Sequence, residues 1–229
     1  MARRRVANPL ALAVLSCLLE RPMHPYEIST TLRERGKEQS IKLNYGSLYS
    51  VVESLQKHGL IQAQETSREG RRPERTVYAI TAAGQTEFAD WMAELLSTPV
   101  REFTSLEAGL SLMPALPPDD VADLLDQRTD KLRTELDSLG EMHDAARKQG
   151  LPELFLIESL YRVKMLTTEL DFVTALAADI RSDAMPGTKS WRRIHELHAE
   201  GVSVATIFAD PVHYLGEEGR ALLPPEPHN

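Results

Sequence analysis

The sequence predicts a mainly α (α+β) protein, with a small helical unit closed by a β-hairpin and a longer all-helical region behind it. Three observations carry that expectation. Apolar residues recur at helical spacing through residues 8–58 and again through 118–181. The period changes to two in LIQAQET (60–66) and RTVYAIT (75–81), which flank the polar, basic stretch SREGRRPE. Charge is divided along the 229 residues: 1–80 hold 13 Lys and Arg against 8 Asp and Glu, whereas 81–229 hold 13 against 26. The net charge of −8 therefore hides a basic front half, the only part suited to meet phosphate.

Residues 8–20 read as a first helix. Asn8 suits the N-cap and Pro9 the first helical position, and Leu10, Val14, Cys17 and Leu18 line one face. RPMHP interrupts it. A second helix spans 25–36, with Pro25 at its start, Ile28 and Leu32 facing inward and Gly36 at its end. The third runs over 45–58. Asn44 can cap it by accepting from the amide of Gly46 or Ser47. Leu48, Val51, Val52 and Leu55 form its apolar stripe, and Gly59 supplies a left-handed stop. Its other side is rich in hydroxyls: Tyr45, Ser47, Tyr49, Ser50 and Ser54. The two period-two runs then form a hairpin with a basic tip, and TAAGQTEFADWMAELL adds a fourth helix capped by Thr81.

Three helices, a hairpin with a basic loop and a following helix make a winged helix-turn-helix, assigned to residues 1–97. The third helix is its reader and the hairpin its wing. Residues 98–183 are assigned to an α-helical dimerisation domain. TSLEAGLSLMPAL is a short helix ended by Pro114. Residues 118–148 form a long amphipathic helix with Leu125, Leu132 and Leu139 seven apart and Leu136 and Met142 beside them. After the turn QGLPE, a second long helix over 153–181 places Leu154, Ile157, Tyr161, Met165, Phe172, Leu176 and Ile180 on one side. Two such stripes are too broad to cover each other, and a second copy of the chain is the expected cover. Residues 184–229 are a C-terminal extension, in which GTKSWRRIHELHAEG reads as a helix and LPPEPHN as a frayed end.

A helix that buries one side and offers hydroxyls on the other fits a DNA groove. Asn44, Tyr45, Ser47, Tyr49 and Ser50 lie at or near the start of the reader helix, where the macrodipole and open amides suit a phosphate. Against this, Tyr49 has a packing reading against the wing and Ser47 a capping one. Lys42 just before it is a further phosphate contact. Few of these groups make bidentate base contacts, so shape contributes to readout. Arg68, Arg71, Arg72 and Arg75 crowd the wing, partly offset by Glu69 and Glu74. A charge run is usually a solvated face; at a wing tip it meets phosphate or the minor groove, and Arg71, Arg72 and Arg75 are the principal candidates. Arg3, Arg4 and Arg5 suit either a neighbouring phosphate or a loose tail. The expected partner is double-stranded DNA.

Other classes find little support. There is no Gly-rich phosphate loop, Ser–His–Asp pattern or CxxC motif, so no catalytic residues, no cofactor and no enzyme are expected. His195 and His198 form an H-x-x-H pair, but no third ligand stands at a convincing spacing, and no metal is expected. Cys17 is the only cysteine, sits in apolar LAVLSCLLE, and fits a buried thiol in a reducing, cytoplasmic setting. MARRRVANPLALAVLSCLLE has the basic start and apolar run of a secretory signal. It lacks an A-x-A site, and the run ends at Glu20-Arg21, so it is read as the first helix instead. No run reaches the roughly 20 apolar residues of a membrane span.

GSLYSVVESLQKHGLI and GRRPERTVYAITAAG resemble the PadR family of bacterial transcriptional regulators. The L-Y pair, the G-L-I, the paired arginines and the Y-x-[LI]-T-x-x-G come in family order over roughly residues 8–95. MHPYEI fits the family's aromatic after a small or rigid residue and adds Tyr26 to the DNA-binding candidates. Ser50 stands where the family often has proline. The two long C-terminal helices resemble the longer-tailed branch, whose C-terminal domain dimerises. The resemblance implies a homodimeric repressor on a palindromic operator near its own or an adjacent gene. In some members phenolic acids or flat hydrophobic drugs release the DNA, so a small aromatic effector is implied, with Trp91 on the fourth helix as its stacking residue or, alternatively, a core or interface aromatic. Trp191, Tyr161 and Phe172 are weaker candidates. The competing reading is a winged-helix protein-interaction module, which has no need of this arginine density.

Overall fold

A computed structural model describes residues 8–41, 45–67 and 75–222. Of the residues singled out above, Arg3, Arg4, Arg5, Lys42, Asn44, Arg68, Glu69, Arg71, Arg72, Glu74 and the LPPEPHN end lie outside the described residues, while Tyr45 and Arg75 enter through their backbone. The chain divides into two compact units, residues 1–101 and 102–229.

The first unit holds α1 (Pro9–Glu20), α2 (Pro25–Glu34), α3 (Tyr45–Lys57), β1 (Ile61–Ser67), β2 (Arg75–Ile80) and α4 (Ala82–Ser97). Asn8 caps α1 by accepting from the Leu10 amide at 2.9 Å. At α2 the cap is His24, not only the proline that follows it. Its Nδ1 accepts from the Tyr26 amide at 3.1 Å, and the Glu27 carboxylate accepts from the His24 amide at 2.8 Å. That reciprocal pair is a capping box with histidine in the place usually held by Ser or Thr. Leu10, Val14, Leu15 and Leu18 of α1 meet Ile28 and Leu32 of α2, Leu48, Val52 and Leu55 of α3, Ile61 of β1 and Trp91 of α4 in one core. Cys17 belongs to it, and burial pushes its thiol pKa up, the direction that keeps a thiol inert.

β1 and β2 pair antiparallel, Ile61 opposite Ile80 and Ala63 opposite Tyr78, with an irregularity between Ala63 and Glu65 that leaves Gln64 as the extra residue. Met23 joins the sheet: its amide and carbonyl exchange 3.0 Å hydrogen bonds with Tyr78. The hairpin is thereby tied to the α1–α2 connection, which fixes the wing against the helices.

The second unit holds α5 (Ser105–Leu112), α6 (Pro118–Lys148), α7 (Ile157–Arg181), α8 (Thr188–Ala199), α9 (Val204–Ala209) and α10 (Pro211–Leu215), ending in a 3₁₀ turn, Gly216–Leu222. Arg181 pairs with Asp123 and Asp126, Arg128 with Glu169, and Arg162 with Glu135. The partners run in opposite order, so α6 and α7 are antiparallel. Val121, Ala122, Leu125 and Leu132 of α6 pack with Val173, Ala177 and Ile180 of α7 and Trp191 of α8. The sequence stripe on the second long helix divides here. Leu154 lies in a 3₁₀ turn before α7, and Ile157, Tyr161, Met165 and Phe172 stay more than half exposed, whereas Ile180 is buried. Among the described residues no helix is long and apolar enough to cross a membrane.

Candidate nucleic-acid interface

The inner side of α3 is fixed by Leu48, Val51, Val52 and Leu55, all buried. A helix turning about 100° per residue must then present Gly46, Tyr49, Ser50, Glu53, Gln56 and Lys57 outward, and all six are exposed. Tyr49 is 46 % exposed. Ser47 and Ser54 sit half-buried on the flanks of this face. Ser50 Oγ donates to the Gly46 carbonyl at 3.1 Å, a back-bond within the helix. α2 packs against α3 and sends Tyr26, 57 % exposed, outward from its first turn. Glu53, Gln56 and Lys57 share the outer face with the tyrosine and serine, and the hydroxyl pattern passes over them. The i+4, i+7 and i+8 positions from Tyr49 find them too. Gln56 brings an amide able to make paired hydrogen bonds to an adenine edge.

The strands of the wing are described up to Ser67 and from Arg75. The connection between them therefore contains Arg68, Arg71 and Arg72 in sequence, with Arg75 as the first residue of β2. Trp91, by contrast, is 5 % exposed and packs in the core of this unit; a ligand would reach its ring only by displacing that packing. His195 and His198 are both on α8. One ring nitrogen of each lies by a backbone carbonyl: His195 Nε2 is 3.0 Å from Pro114 O, and His198 Nδ1 is 3.3 Å from Val202 O. Among the described residues no group of three or more His, Cys, Asp or Glu is placed to hold a metal.

Residues 14–90 match the model of the transcriptional regulator PadR-like family. Over these residues, about a third of the chain, it is similar to the PadR-like family. The crystal structure of Bacillus subtilis PadR in complex with operator DNA matches with a TM-score of 0.57 at 19 % identity, over 76 % of this chain and 98 % of that one. The same protein in complex with p-coumaric acid gives 0.58 at 16 %, over 74 % and 96 %. The Vibrio cholerae virulence activator AphA gives 0.55 at 15 %, over 76 % and 98 %. At these identities the likeness establishes the fold, a PadR-type winged helix with a helical C-terminal region. No curated protein matches the chain. These neighbours are covered almost whole while about a quarter of this chain lies outside the match, so it carries a segment they lack.

Within the PadR-like domain, the Y-x-I-T-x-x-G run has a physical cause. Thr81 Oγ1 lies 2.8 Å from the Gly59 carbonyl and 3.1 Å from that of Leu60, and accepts from the Gly84 amide at 3.1 Å. One hydroxyl thus caps α4 and anchors it to the turn that ends α3. Gly84 lies so close to Leu60 that a Cβ there would come within 2.1 Å of the Leu60 carbonyl oxygen. The motif sets where α3 ends relative to the wing.

Proposed function

We propose that this protein is a homodimeric transcriptional repressor that binds a palindromic DNA operator and is released by a small aromatic or hydrophobic effector. The observation that carries the reading is the outer face of α3, with Tyr49 and Ser50 exposed, beside a hairpin whose connecting residues hold three arginines and whose second strand opens on a fourth. The PadR structure with operator DNA supports it, since that protein has the same fold. Asn44, Tyr45, Ser47, Tyr49 and Ser50 contact backbone and base edges from the start of α3. Lys42 and, from α2, Tyr26 add backbone contacts. Arg71, Arg72 and Arg75 contact phosphate or the minor groove from the wing.

Dimerisation is read from α7. Tyr161, Met165 and Phe172 are 68 %, 55 % and 52 % exposed on the side away from α6, an apolar face that a second copy would cover. Two copies of α3 would then enter successive major grooves about 34 Å apart. An effector acts by favouring a geometry in which that spacing no longer fits, and the loss of DNA affinity equals its differential affinity for the two states. The PadR complex with p-coumaric acid shows a small molecule on this fold.

The test is a gel-shift titration against the DNA upstream of the gene, at two salt concentrations, with unrelated DNA as competitor. Retention in the presence of competitor, with a footprint of two half-sites about 10 base pairs apart, is the expected result. Binding lost equally from both DNAs as salt rises, and no specific complex on any fragment of the surrounding genes, would leave the protein-interaction module as the better reading.

A further inference from the structure

The second unit contains a cavity of about 1010 Å³, at the upper end of the range that drug-sized ligands occupy. Three segments wall it: Met113–Ala115 after α5, residues 185–198 up to and along α8, and α9 with the final 3₁₀ turn. They are clamped to one another. The Trp191 indole N–H donates to the Leu116 carbonyl at 2.8 Å, and Arg192 reaches Asp119 of α6 at 2.6 Å. Ser190 Oγ donates to Glu218 Oε2 at 2.5 Å, and Gly219 packs so tightly on Pro211 that a Cβ would come within 2.2 Å of its carbonyl oxygen. The walls are held in place before any ligand arrives, which lowers the ordering cost of binding.

The lining chemistry is one-sided. Met113, Met185, Trp191, Ile194 and Phe208 give a broad apolar and aromatic surface, with thioethers that adapt to irregular shapes. Among the described residues its one carboxylate is Glu218, and no Lys or Arg lines it. Its two histidines, His195 and His198, each set one ring nitrogen by a backbone carbonyl, so an anion entering this space would shed water and find no permanent cation. A cation would meet aromatic rings and a carboxylate.

We propose that this cavity is a binding site for a lipophilic cation, with Trp191 and Phe208 packing its apolar body and Glu218 offsetting its charge. That the ligand is the effector rests on the regulator reading above; its binding does not. The ligand class differs from a phenolic carboxylate, for which these walls supply no Lys or Arg counter-charge.

Calorimetric titration of the full chain with tetraphenylphosphonium and with its isosteric anion tetraphenylborate tests this. The expected result is saturable binding of one phosphonium per chain, with the borate at least about tenfold weaker. Glu218→Gln should weaken the phosphonium by about fivefold, a size set by a solvent-exposed charge pair, and leave the borate no weaker. Ala115→Phe fills the cavity from an exposed position, and Phe208→Ala removes a half-exposed ring. Each should weaken the phosphonium tenfold or more, with helical content by circular dichroism unchanged. Absent or non-saturable phosphonium binding, equal or tighter borate binding, indifference to Glu218→Gln, or indifference to both cavity variants would overturn the proposal. None of these readouts involves DNA, so failure here and failure of the regulator reading are separable.

Discussion

Gly84 is where a single methyl group should matter most. Alanine there meets the Leu60 carbonyl at 2.1 Å, a backbone atom that moves only if the α3–wing junction moves. We expect Gly84→Ala to cost about 1–3 kcal/mol in urea denaturation. Gly140, inside α6 with nothing within 4 Å of its would-be Cβ, should respond oppositely: Gly140→Ala should stabilise by about 0.8–1 kcal/mol. Glu27 gives a pH signature. The His24 backbone N–H, foremost, holds its carboxyl below the usual carboxylate range, with Arg21 adding to the effect. A lowered folded pKa means stabilisation that is full above the ordinary carboxylate pKa and lost as pH falls through the lowered value. The stability gap between the protein and Glu27→Ala should therefore be present at pH 7 and shrink below about pH 4. A gap constant across that range would contradict the assignment. The histidine cap itself is not legible in sequence, because histidine is an uncommon N-cap and Pro25 alone explains a helix start. Asn8 and Thr81 are legible because their short side chains are the usual acceptors for those amides.

Among the elements, α7 separates a buried face from an open one by angle. Val173, Ala177 and Ile180 lie about a quarter to a half turn round the helix from Tyr161, Met165 and Phe172. The first set is buried on α6 and the second is open. Tyr161→Glu with Phe172→Glu should therefore give a folded monomer in sedimentation at concentrations where the unaltered chain is a dimer, each aromatic contributing about 2 kcal/mol or more to association. Unchanged sedimentation of the double variant would refute α7 as the dimer face. Reading seven apolar residues as one stripe blurred this division. Their mean spacing slightly exceeds 3.6, so the stripe drifts round the helix and its last members arrive on the α6 side. Helix periodicity made α1, α3 and α6 legible. The Met23–Tyr78 bridge was not, since a single residue has no period and its partner lies 55 positions away.

For the whole molecule, charge is unevenly divided: a basic front half, which the proposed reading sets against DNA, and an acidic remainder, which on that reading would limit indiscriminate binding to nucleic acid. The candidates could be named from sequence because they rest on residue type at a recognisable place, hydroxyls on the third helix and arginines between two strands. Glu53, Gln56 and Lys57 emerge only once the buried face of α3 is known. Gln56→Ala should relax base preference at one operator position by about 1–3 kcal/mol, whereas Lys57→Ala should weaken all sequences alike. Operator binding through the wing is tested most sharply by fluorescence anisotropy of labelled operator DNA over a salt series, for the chain and for Arg71→Ala/Arg72→Ala/Arg75→Ala. DNA binding through a basic wing predicts a steep fall of log K with log salt. The triple variant should bind more weakly, with a slope shallower by about 0.9 for each phosphate that is no longer neutralised. Equal affinity and equal slope for the two proteins would contradict it.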